Sequence, residues 1–71
     1  MKLNVFGRDV EIIKDSRENW VAYYLGNEGK KRIAHDIVIP KQLRESDIVE
    51  YVADLCHEWA SIKFPDVIKI T

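Results

Sequence analysis

The run Asp54-Leu55-Cys56-His57-Glu58-Trp59-Ala60 sets a thiol, an imidazole and two carboxylates within five positions. A Cys–His couple is the chemistry of thiol catalysis. Carboxylate and imidazole together can hold a divalent cation. Whether either chemistry is available depends on the element that carries these residues. Their surroundings read as one amphipathic helix over Ser46–Ile62. At about 100° per residue, Ile48, Val49, Val52, Leu55, Cys56, Trp59, Ala60 and Ile62 fall in a single arc. Ser46 is placed to cap its start and Asp47 to oppose its dipole. The helix is expected to stop before Phe64-Pro65, because a residue preceding proline avoids helical geometry.

On such a helix neighbouring residues point about 100° apart. Cys56 then joins the apolar arc while His57 sits on the polar face, so the two do not form a thiol–imidazole couple. Cys56 reads as a small buried hydrophobe and Trp59 as a core anchor. Glu50, Asp54 and His57 follow an i, i+4, i+7 spacing and make a weak metal candidate, which His35 can join from the sheet. The spacing is not that of a zinc-binding HExxH helix, and a solvated acidic face explains it as well. The sequence holds no phosphate-cradling glycine loop followed by Lys and Ser or Thr, and no nucleophile elbow. The expectation is a non-enzymatic chain with no cofactor and no metal.

Seventy-one residues, 46% hydrophobic and 32% charged, suit one globular domain over residues 1–71. No apolar run is long enough for a membrane span, and no basic-then-apolar start reads as a signal peptide. One cysteine cannot build a disulfide framework. These features lead us to expect a cytoplasmic protein with no membrane partner. Net charge is −1, yet it is unevenly spread. Glu45 to Ile62 holds five acids and no Lys or Arg, whereas Met1 to Arg44 holds nine basic residues against six acids. Such a bipolar surface can meet partners of opposite sign.

Ahead of the helix the pattern is that of strands. Lys2–Phe6 and Val10–Lys14 alternate around Gly7-Arg8, which suits a two-residue hairpin turn. That turn would place Phe6 opposite Asp9, Val5 opposite Val10 and Leu3 opposite Ile12. Leu3, Val5, Val10 and Ile12 would then share a face. Asp15–Asn19 reads as a loop. Trp20–Leu25 (WVAYYL) is the strongest strand, apolar on both faces as a central strand would be. Gly26–Gly29 reads as a turn, and Lys30–Ile39 as one or two short strands ended by Pro40. Val67–Ile70 is a short edge strand or a tail. The fold expected is α+β: an antiparallel meander of three or four strands, one amphipathic helix packed on one face, and a possible short C-terminal strand. Its core would hold Leu3, Val5, Val10, Ile12, Ile48, Val52, Leu55, Cys56 and Trp59.

One helix covers only one face of a sheet. Trp20, Tyr23 and Tyr24 are therefore the candidate partner-binding residues, on an open face that takes a protein partner or a second copy of the chain as a homodimer. Which of them is exposed depends on the register of the central strand. If Trp20, Ala22 and Tyr24 face the helix, Tyr23 and Leu25 are left outside; the opposite register exposes Trp20 and Tyr24. The alternative is a weak single-stranded nucleic-acid surface, with Lys30, Lys31 and Arg32 meeting phosphates beside stacking rings. Three cations on a chain that is not basic overall give a shallow electrostatic attraction.

The runs Val5-Phe6-Gly7, Trp20–Leu25, Gly29–Arg32, His35–Pro40 and Ala53–Ala60 resemble those of short bacterial proteins grouped as a domain of unknown function. That resemblance implies a free-standing cytosolic protein and assigns no activity. The order of elements over Val10–Ile62, three strands then a helix, is also similar to the antitoxin half of HicB-type toxin–antitoxin pairs. This second resemblance implies a domain that binds a toxin partner. An appended DNA-binding segment is not expected.

Overall fold

The structure, a computed structural model, describes residues 1–26 and 29–71. Strands β1 (Lys2–Val5), β2 (Arg8–Lys14), β3 (Trp20–Leu25) and β4 (Lys31–Ile33) precede helix α1 (Glu45–Leu55). A 3-10 turn over His57–Trp59 and strand β5 (Val67–Lys69) follow. All neighbouring strands are antiparallel, in the order β4-β3-β2-β1-β5. The α+β class, the meander, the single helix on one face and the short C-terminal strand all match the sequence reading. Asn27 and Glu28, the middle of the expected Gly26–Gly29 turn, lie outside the described residues.

The first hairpin differs from the sequence reading in register but not in facing. Leu3 opposes Val10, Asn4 opposes Asp9 and Val5 opposes Arg8. The two turn residues are thus Phe6 and Gly7, not Gly7 and Arg8. Both have positive φ, 49° and 91°, as a type I′ turn requires. The shift from the expected register is two residues, and strand side chains repeat every two. Leu3, Val5, Val10 and Ile12 therefore still share a face, and all four are buried.

A phenylalanine at positive φ is strained, and three contacts hold it. Its side chain is buried in the core, its N–H donates to the Asp66 carbonyl at 3.3 Å, and the Gly7 N–H donates to Asn4 Oδ1 at 2.9 Å. Gly7 also has to be bare. A Cβ there would sit 2.8 Å from Phe64 ring carbons.

Helix α1 is shorter than the periodicity implies. It begins after an extended Arg44 that makes no side-chain cap, so Ser46 is not the cap. Glu45 and Asp47 lie in its first turn, where the dipole favours them. It ends at Leu55, and the tighter turn His57–Trp59 leads to an extended Ala60. Ile48, Val52 and Cys56 form the buried stripe. Leu55 is a correction to the expected core: it is 43% exposed, because it points about 60° away from Val52 at the edge of that stripe. Ile62, beyond the helix, is fully exposed. Trp59 is half-buried against the core.

Helix α1 lies over β1 and β5. The β2–β3 half of the same face is covered by residues 34–43. This segment is not strand, as the sequence suggested for Lys30–Ile39, yet Ala34, Ile37 and Ile39 are buried in the core. Three side chains pin it. Trp20 Nε1–H donates to the Leu43 carbonyl at 3.0 Å, Tyr51 O–H to the Val38 carbonyl at 3.0 Å, and Tyr24 O–H to the Asp36 carboxylate at 2.7 Å.

Gly7→Ala should destabilise the domain by more than the about 1–2 kcal/mol that a left-handed conformation costs a side-chain-bearing residue, since the Phe64 ring must also move. Gly29→Ala, with positive φ but no atom of the described residues within 4 Å of the added carbon, should carry the conformational cost alone. Thermal unfolding of the two variants checks this, at roughly 4–8 °C per kcal/mol for a domain of this size. Equal losses would remove the role given to Phe64.

Candidate functional site

The register of β3 settles which rings are outside. Val10 opposes Tyr24, Ile12 opposes Ala22 and Lys14 opposes Trp20. Trp20 and Tyr24 therefore face the helix side with the core, and only Tyr23 of the three candidate residues lies on the open face. This corrects their grouping as one surface. Trp20 fastens the 34–43 segment, and the Lys14 ammonium lies 4.8 Å from its ring centroid.

The open face can be read row by row. One row runs Ile33–Tyr23–Glu11–Lys2 across β4, β3, β2 and β1, with Ile70 bonded beside Lys2. A second row holds Lys31 and Leu25 at one side, and Asp9, Asn4 and Ile68 at the other. Val21 pairs with Ile13 in a third. Ile13, Ile33, Ile68 and Ile70 are all exposed on this face. Its centre is polar. Lys31 Nζ reaches Glu11 Oε1 at 2.6 Å and lies 5.5 Å from the Tyr23 ring centroid. The hydrogen bond to Lys31 lowers the Glu11 carboxyl below its ordinary value and raises the Lys31 ammonium above its own. Sequence reasoning passed over Ile68 and Ile70. Their signal was the alternation with Val67 and Lys69.

The basic run does not form one patch. Strand alternation sends Lys31 to the open face and Arg32, opposite Tyr24, to the helix side. Lys30 precedes the strand, and its carbonyl accepts the Gly26 N–H at 2.7 Å. The metal candidate Glu50, Asp54 and His57 is not assembled either. Helix α1 ends before His57, which breaks the stripe. Among the described residues no group of three or more His, Cys, Asp or Glu is placed to hold a metal ion.

A second locus lies on the helix side, at the end of the sheet near the first turn. Arg8, Asp9, Tyr24, Arg32 and Asp36 are among the residues that line an open cleft of about 560 Å³. The Arg8 guanidinium lies 4.1 Å from the centroid of the Trp59 ring, and the Trp59 and Tyr24 rings are 6.3 Å apart. The Tyr24 hydroxyl sits 2.7 Å from both Asp36 oxygens. Burial, and then the Asp36 hydrogen bond, push its phenol up to about 12. Cys56 is buried, and that burial raises its thiol above the ordinary value, which suits packing rather than nucleophilic chemistry. Arg8 and Asp36 were not singled out in the sequence. Asp36 was the legible one, a carboxylate at the head of an otherwise apolar run.

A family model described as "Domain of unknown function (DUF7661)" matches residues 1–71. The chain belongs to this family. No curated protein and no solved structure matches it. Among the described residues no helix is long and apolar enough to cross a membrane.

The Tyr24–Asp36 contact has a spectroscopic consequence. The Tyr24 ring resonances, assigned by their loss in Tyr24→Phe, should titrate with a midpoint near 12. Asp36→Asn removes a negative charge and an acceptor that both favour the neutral phenol, so the midpoint should fall toward 10. A midpoint left unmoved by Asp36→Asn would contradict the contact.

Proposed function

We propose that this chain is a non-catalytic self-association module whose open sheet face packs against the same face of a second copy. The observation that carries the reading is the gathering of Ile13, Ile33, Ile68 and Ile70, all exposed, on the one face that neither α1 nor residues 34–43 cover. The four strands β3, β2, β1 and β5 at about 4.8 Å and about five residues at about 3.3 Å give a footprint of roughly 320 Å² per copy in projection. With side-chain relief added, this approaches the small end of specific interfaces.

The arrangement is self-complementary. A two-fold axis parallel to the strands, between β1 and β2, lays β2 over β1 of the second copy and β3 over its β5. Glu11 then meets Lys2 of the second copy, and the same contact repeats by symmetry. Tyr23 meets Ile70 and Leu25 meets Ile68 of the second copy. An isologous interface requires this kind of match. Sheet twist sets two such layers about 30° apart, so the contacts nearest the axis, Glu11 with Lys2, match best and fix the orientation.

Solution mass by light scattering over a concentration series should rise toward that of a dimer. Ile68→Glu, at an exposed strand position outside the core, should weaken association at least ten-fold, about 1.4 kcal/mol. Lys2→Glu, which sets a carboxylate against Glu11 of the second copy, should weaken it too. A wild-type chain that stays monomeric throughout would overturn self-association and leave the face to a different protein. A dimer indifferent to Ile68→Glu would place the interface elsewhere.

A further inference from the structure

The cleft between Arg8 and Arg32 is on the opposite side of the sheet from the self-association face and stands independently of it. Three neighbouring strands build it. Arg8 opens β2 with its side chain on the helix side, opposite the buried Val5. Tyr24 on β3 opposes Val10, two residues along from Arg8. Arg32 on β4 opposes Tyr24. The two arginines thus flank one tyrosine on the same side, two strand spacings across and two residues along, about 12 Å apart, within reach of long side chains.

Arg8 is held in place without being neutralised. Its guanidinium stacks over Trp59 at 4.1 Å, and a face-stacked guanidinium keeps its in-plane N–H fork available. Among the described residues the one ion pair is Lys31–Glu11, so no described carboxylate contacts Arg8 or Arg32. Two acids lie nearby, and both are otherwise engaged. Asp36 accepts from the Tyr24 hydroxyl through both oxygens. Asp9 also lines the cleft, but strand alternation turns its side chain to the open face, where Asn4 Nδ2 donates to it at 3.1 Å. Two arginines and two aspartates line the cleft; on the helix side of the sheet Arg8 and Arg32 outnumber Asp36, since the Asp9 side chain is turned to Asn4 on the other face. Its about 560 Å³ is in the range of small-molecule sites.

We infer that this cleft binds a small oxyanion ligand, a carboxylate or phosphate gripped between the Arg8 and Arg32 guanidiniums. Guanidinium forks match both groups in two-point contacts. The Tyr24–Asp36 pair forms the fixed wall between them. Trp59 is the link back to the sequence run that looked reactive. It serves the site by orienting Arg8, which makes it a positioning residue.

The test is NMR titration of the full-length chain with inorganic phosphate and, separately, with succinate, each against sodium chloride at matched ionic strength. A saturable shift of the Arg8 and Arg32 side-chain Nε–H signals and of the Gly7 and Leu25 amides is expected. Saturation by phosphate alone identifies a phosphate-bearing ligand, by succinate alone a carboxylate, and by both the shared oxyanion chemistry. Arg8→Gln and Arg32→Gln should each weaken binding at least ten-fold with a dispersed spectrum retained. Arg17→Gln, the same charge loss in a distant loop, should leave it unchanged. Shifts that never saturate, that match those from chloride, or that survive in both arginine variants overturn the inference. An equal loss in Arg17→Gln does so as well, since it means diffuse charge attraction. Should Arg8→Gln unfold the chain, Arg8→Lys keeps the charge but removes the fork, and unchanged affinity there is equally fatal.

Discussion

The constraint on which this fold turns is that one helix is too small for its sheet. Eleven residues make α1 about 16 Å long and about 10 Å wide. Five strands span about 24 Å. Half of the core face would be wet without further cover, and residues 34–43 supply it as irregular chain. Irregular backbone has no ladder to satisfy it, so its polar groups need partners from elsewhere. Trp20 and Tyr51 give their polar tips to the Leu43 and Val38 carbonyls, and Tyr24 gives its hydroxyl to Asp36. Aromatic side chains suit this task because one end packs while the other donates. No buried side-chain polar atom among the described residues is left without a partner.

That economy explains which parts of the fold were legible. The strand and helix classes were, because period 2 and period 3.6 are properties of short windows. The facing of Leu3, Val5, Val10 and Ile12 survived an incorrect hairpin register, since an error of two residues leaves the side-chain faces unchanged. The turn itself was misplaced because no propensity puts a phenylalanine at positive φ; burial of its ring outweighs the local cost. The end of α1 was overrun for a related reason. Periodicity continues through Trp59, but the chain tightens to a 3-10 turn after Cys56, and the ring is used against Arg8 and Tyr24 rather than in the helical stripe.

The surfaces were less legible than the core. Residues adjacent in sequence on a strand are on opposite sides of a sheet, so Lys30-Lys31-Arg32 cannot act as the unit its letters suggest. Lys31 settles against Glu11 and Tyr23, while Arg32 joins Arg8 from a different hairpin. The open face was anticipated, but its membership depended on the pairing of β3 with β2, which the doubly apolar pattern of WVAYYL could not choose. Trp20 and Tyr24 went inward because a covering segment needed their donors.

Strand β5 enters the sheet beside β1, so Leu3 sits opposite Lys69 and Val5 opposite Val67. The same two regions meet again where the Phe64 ring rests on the bare Gly7. Everything between them must be gathered before either contact forms. Such distant pairings are entropically late, since the loop must close before any contact rewards it. The β1–β2 hairpin can form locally, but its outer edge stays unpaired until the last strand docks. During that interval it is a template for any other extended chain. For this edge the hazard of misassembly therefore belongs to the folding pathway, and it is greatest while β1 is waiting for β5.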